Sequence, residues 1–158
     1  MRFPRKQVCA AAVIGGLALA AGPARAELEN NWARVDLGAF GSGARICDPE
    51  FLFPSVCAAV ICEAPGVLSL GLLIGVPGTE GAPRDAVIAI DDFAETRRMT
   101  DLPAGSHLFT RTRLEAGDPI LDLLRSGRGI AIVLEEFPYV FPLRGAAFEV
   151  ERAEAECF

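Results

Sequence analysis

Chemistry at neutral pH would fall first to His107, the only imidazole in the chain. A Ser–His–acid triad would need it as the base, with Ser42, Ser55, Ser69, Ser106 or Ser126 as nucleophile. None of these serines stands in a G-x-S-x-G elbow, and Gly66-Val-Leu-Ser69-Leu-Gly71 has the wrong spacing for one. His107 follows Gly105 and Ser106, which reads as a loop at the start of a strand. Carboxylate pairs come next, Asp91-Asp92 with Glu95, and Glu135-Glu136. Such pairs serve acid–base steps or bind Ca²⁺. Neither set has EF-hand spacing, and neighbours on a strand point to opposite faces, so the simpler reading is solvated strand ends. Gly38, Gly41 and Gly43 lack the third glycine of a dinucleotide fingerprint. The expectation is therefore no catalytic residue, no metal and no cofactor.

Two sets of residues remain as binding candidates. Arg97, Arg98, Arg111 and Arg113 form a basic cluster in an acidic chain. Guanidinium forks bind carboxylates bidentately, so a small anionic ligand or an acidic partner is the matching chemistry. Phe137, Tyr139 and Phe141 alternate along a segment that also holds Pro138 and Pro142. Prolines place such a strand at a sheet edge, where its aromatics would make a docking strip for a partner protein.

The cysteines point to a compartment. Arg2, Arg5 and Lys6 precede an apolar run from Val8 to Ala21, and Ala24-Arg25-Ala26 supplies a small-x-small cleavage pattern. This predicts a cleavable export signal over 1–26 and a single β-rich periplasmic domain over 27–158 of a bacterial chain. Cys9 lies before the apolar run, the wrong place for a lipoprotein cysteine. Cys47, Cys57, Cys62 and Cys157 then make an even count in an oxidising compartment, hence two structural disulfides. The segment between Cys47 and Cys57 contains two prolines and must turn, so these two are expected to pair. Cys62 is left for Cys157, a bridge from an early strand to the last helix. Each bridge is worth about 2–4 kcal/mol. The absence of C-x-x-C speaks against a thioredoxin-like redox pair.

Charge narrows the partners. Four of the 15 basic residues fall within 1–26 and no acidic residue does, which leaves 11 arginines against 21 carboxylates, a net of −10. That balance repels phosphate backbones and anionic lipid surfaces, so no nucleic-acid partner is expected. Lys6 is the only lysine, which removes Schiff-base chemistry and a P-loop lysine from 27–158. A second apolar stretch, Val56 to Val76, is broken by Glu63, Pro65 and Gly66, so it reads as two buried strands and no transmembrane segment.

The elements that must position these residues are mostly strands. Trp32–Leu37 alternates, and Gly38–Gly43 reads as a turn. Val56–Cys62, Val67–Val76, Ala86–Ile90, Phe93–Met99, His107–Leu114, Gly129–Leu134 and Phe137–Leu143 are the further expected strands. Asp118 can cap a helix with Pro119 in its first position and Gly127 at its end. A second helix begins near Gly145, with Ala146, Val150, Ala153 and Cys157 on one face. The expected class is mainly β: a disulfide-stapled, β-sandwich-like domain with two short helices.

The C-terminal third carries a resemblance. Leu123-Leu-Arg-Ser-Gly-Arg-Gly-Ile-Ala-Ile-Val133, then Phe141, Leu143, Arg144, Gly145 and Ala147, resembles the invasion-associated locus B family of small exported proteobacterial proteins. Its pattern is a short helix ending in glycine, a strand, and an aromatic-x-Leu-basic-Gly motif opening an Ala-rich helix; Trp32 also fits. The resemblance implies a β-sandwich-like domain in the periplasm or outer envelope with no enzymatic site to carry over. The Cys47 to Cys62 segment departs from it in being more apolar and cysteine-rich. The leading expectation is a non-enzymatic accessory or interaction protein of the cell envelope, acting through an envelope protein partner. The alternatives are an anion-binding periplasmic module built on the four arginines, and a hydrolase using His107.

Overall fold

The computed structural model describes residues 31–50 and 53–158; the expected signal segment 1–26, with Cys9, lies outside them. Among the described residues, β1 (Ala33–Asp36), β2 (Ser42–Cys47), β3 (Val56–Ala64), β4 (Val67–Ile74) and β5 (Arg84–Ile90) come first. β6 (Phe93–Ala104), β7 (His107–Leu114), α1 (Pro119–Ser126), β8 (Gly129–Leu134), β9 (Phe137–Pro142) and α2 (Ala146–Cys157) follow. The strands join in one antiparallel sheet in the order β1-β2-β3-β4-β7-β6-β5-β8-β9. Among the described residues the chain is thus mainly β with two helices, as its pattern of alternation and caps predicts.

β6 is the element that shapes the sheet. Its first part, Phe93–Met99, pairs with β5, and its second part, Thr100–Ala104, pairs with β7. A strand that changes partners partway along makes a corner between two half-sheets. Met99, the last residue paired with β5, is fully buried at this corner. Inner residues of both halves meet in one core: Val60, Leu70 and Leu72 from one side, Ile88, Ile90 and Ile132 from the other. Both helices bury their apolar faces in this same cluster. α1 is capped by Asp118, whose carboxylate accepts from Ile120 N–H at 3.0 Å. α2 buries Ala146, Val150, Ala153 and Cys157, the face expected from the i, i+4, i+7, i+11 spacing.

The sequence pattern misses β2, because Gly43 and Arg45 interrupt its apolar run. The structure explains the glycine: a Cβ on Gly43 would lie 2.0 Å from the Val60 carbonyl oxygen on β3. Of the stretch read as a turn, Gly38–Gly43, a short 3₁₀ turn takes Gly38–Phe40, and β2 already begins at Ser42. The apolar stretch from Val56 is a β3–β4 hairpin. No helix among the described residues is long and apolar enough to cross a membrane.

Both disulfides form as the spacing predicts. Cys47–Cys57 joins directly opposed residues of β2 and β3, with Cα atoms 3.9 Å apart. Cys62–Cys157 ties β3 to the end of α2 across 95 residues of sequence. The two ends of the sheet also approach each other. Trp32, just before β1, donates from N–H to Arg144 C=O at 3.2 Å and from Nε1 to Pro142 C=O at 3.0 Å.

Candidate functional site

The corner in β6 opens a notch. β7 has a β6 partner only as far as Arg111, opposite Thr100; beyond that, Thr112 and Arg113 pair with β4 alone. The residues at this fork line a concavity of 460 Å³: Arg98, Thr100, Arg111, Thr112 and Arg113. Three of the four arginines singled out from the sequence therefore converge, with the Thr100 hydroxyl on the same face as Arg111.

Each arginine there is held differently. Arg111 is fixed: its Nε donates to Glu63 Oε1 at 2.7 Å, one terminal nitrogen donates to Glu63 Oε2 at 3.1 Å, and the other to Thr100 Oγ1. Both partners of this pair are nearly buried, at 12 % and 11 % side-chain exposure. The local sequence makes the reach possible. The β3–β4 register shifts between Cys62 and Ala64, so Glu63 sits at the irregularity, a feature that re-aims a side chain. Gly71 on the intervening β4 lacks the Cβ that would stand 2.9 Å from Arg111 Cβ, so the guanidinium can lie across that strand. Arg98 is held loosely by Asp85 at 3.2 Å, both being well exposed, an arrangement worth little in water. Arg113 has no hydrogen bond or ion pair among the described residues. One guanidinium is thus rigid, and two are available to a ligand.

Ser69 lies buried beside the notch and does not line it. It pairs with Arg113 across the β4–β7 ladder, so the two side chains share a face. Its Oγ is the one buried side-chain polar atom without a hydrogen-bond partner among the described residues. A buried hydroxyl left unpaired costs about 1–3 kcal/mol, so it is a group in want of a partner.

Arg97 does not join the notch, which corrects the four-arginine cluster read from the sequence. It pairs with Ala86, on the inner side of β5, whereas Arg98 pairs with Asp85 on the outer side. Its guanidinium is committed to Glu95 and, at 3.1 Å, to the helix-capping Asp118. Burial works against its charge, but the hydrogen bonds and charges of Glu95 and Asp118 outweigh that and raise its pKa above the ordinary arginine value.

The aromatic strip is also divided. Phe141 is 2 % exposed and belongs to the core, because alternation on β9 turns it inward with Ile130; it is not a surface for a partner. Tyr139 is partly buried against the same cluster, and Phe137 is half exposed, with its ring 4.8 Å from that of Tyr139. β9 is an edge strand, as its prolines predict. Leu143 N–H donates to Arg128 C=O on the β8 side, so the even-numbered residues of β9 turn their backbone groups to the free edge. There Pro138 and Pro142 have no N–H, and the Pro142 carbonyl already accepts from Trp32. Backbone pairing with an added strand is therefore largely withheld.

The remaining candidates fall in turns. Asp91-Asp92 and Glu135-Glu136 are the two-residue connections of the β5–β6 and β8–β9 hairpins. Asp91 accepts from Arg128 N–H at 3.2 Å, and Glu135 bonds Arg84 at 2.7 Å. The Arg84 pKa is raised chiefly by that Glu135 bond, with Asp101 adding to it against the effect of burial. His107 Nδ1 lies 3.1 Å from Ser106 Oγ at the β6–β7 hairpin, and among the described residues no carboxylate pairs with the ring. Among the described residues no group of three or more metal-ligating side chains gathers.

Compared with known proteins, the chain matches no family model, no curated protein and no solved structure.

Proposed function

We propose that the protein is a non-enzymatic binding module of the bacterial cell envelope, exported to the periplasm, whose ligand is an anion held in the arginine notch. The observation that carries this reading is the convergence of Arg98, Arg111 and Arg113 with Thr100 and Thr112 on one 460 Å³ concavity. In a chain whose residues 27–158 carry a net −10, a cavity lined by three guanidinium groups is a local inversion of charge. Arg111, locked by Glu63, would orient the anion, while Arg98 and Arg113 close on it. The two disulfides support the export part of the proposal, since such bridges persist in oxidising compartments.

Isothermal titration calorimetry with inorganic phosphate and with succinate tests it. Saturable binding is expected, weaker at higher salt and reduced about tenfold or more in the Arg98→Ala/Arg113→Ala variant. Absence of saturable heat with either anion would reject the reading.

A second reading, an accessory protein docking through the β8–β9 hairpin, is favoured by Phe137 at 50 % and Val140 at 62 % exposure. Phe137→Ser then weakens capture of an envelope partner in a pull-down from the native envelope fraction, and unchanged capture rejects that site.

A further inference from the structure

The notch does not end in solvent on every side. In the two rows beyond Arg98 and its partner Asp85, the outward-facing residues of β5, β8 and β9 are Val87 and Ala89, Val133 and Ala131, and Pro138 and Val140. Their inward neighbours, such as Ile88, Ile132 and Phe141, fill the core. The outer rows therefore form an apolar sheet face, on which Val87 and Val140 are exposed. The row of Val87 lies two residues along β5 from Asp85, the register partner of Arg98.

Resting on the anion-binding reading, we propose that notch and apolar face are one site for a single anionic amphiphile, an aliphatic chain ending in a carboxylate or phosphate. The charged head would sit among Arg98, Arg111 and Arg113, and the chain would lie along Val87, Val133 and Val140. Three observations favour this occupant. The charge at one end of the face is complementary to an anionic head. Three strands about 4.8 Å apart and six residues long cover only about 300 Å², well under the roughly 800 Å² per partner of a standard interface, so a second copy of the chain is too large a guest. Finally, backbone groups on this face are consumed by the ladders with β6 and β9, and the free edge of β9 is depleted of donors by Pro138 and Pro142. A peptide laid there would bury amides without partners, whereas an aliphatic chain needs none. The overall acidity of residues 27–158 repels an anionic bilayer, so the amphiphile is taken singly.

Calorimetry of the purified protein with decanoate, kept below its aggregation threshold, against acetate tests the proposal. Decanoate is expected to bind at least about tenfold more tightly than acetate. Val140→Asp and Val87→Asp, both at exposed positions, should each abolish that difference while leaving acetate binding intact. Equal binding of decanoate and acetate would overturn the inference and leave the anion notch standing; binding of neither would overturn both. A chain-length gain that survives in both aspartate variants would place the chain elsewhere and also overturn it. So would a short apolar peptide with a free terminal carboxylate that binds more tightly than decanoate.

Discussion

At the scale of single residues, the account turns on which polar groups are satisfied. Arg111, Glu63 and Thr100 satisfy one another, and Arg97 is spent on Glu95 and Asp118. Arg113 and Ser69 are left over on the same face. Ser69→Ala removes an unpaired buried hydroxyl, so it is expected to stabilise the ligand-free protein by about 1 kcal/mol in urea denaturation. A loss of stability would show that the hydroxyl has a partner. This part of the site was half legible. Arg111 and Arg113, two apart on a strand, share a face, and the same alternation separates Arg97 from Arg98. That rule puts Arg97 on the inner face, away from the other three arginines. The role of Glu63 was not legible, because it depends on a register shift that no local pattern records.

At the scale of elements, the helices and most strands follow from short-range signals: the Asp118 cap with Pro119, the inward face of α2, and alternation along β7. The strand β2 did not, since its glycine is dictated by a neighbour 17 residues away, Val60. The strand β6 was read as ending at Met99, where its partner changes; it runs on to Ala104 through Pro103. The two disulfides act on different elements and should differ in weight. Cys47–Cys57 closes a separation of 10 residues between adjacent strands, and Cys62–Cys157 closes one of 95 between strand and helix. In the chain-entropy model the longer loop is worth about 2 kcal/mol more. Cys62→Ala/Cys157→Ala is therefore expected to lower the denaturation midpoint further than Cys47→Ala/Cys57→Ala. The reverse order would mean that strain or unfolded-state structure, and not loop length, sets their contribution.

At the scale of the whole molecule, one sheet bends at β6 and its two ends meet at Trp32, so helices and core residues crowd the inner side. The strand order, with β7 beside β4 and β8 beside β5, depends on contacts far apart in sequence and was not legible from local pattern. The bend shapes the surface: it parts β6 from β7 and leaves arginines facing outward at the fork. Binding at that fork is the central claim, and arginine side-chain NMR tests it most directly. On titration with inorganic phosphate, the Nε–Hε signals of Arg98 and Arg113 should move together and saturate, with a smaller shift at Arg111. Arg84, Arg97 and Arg125, already held by carboxylates, should stay in place. Uniform small shifts across all the arginines, or none at Arg98 and Arg113, would contradict the account.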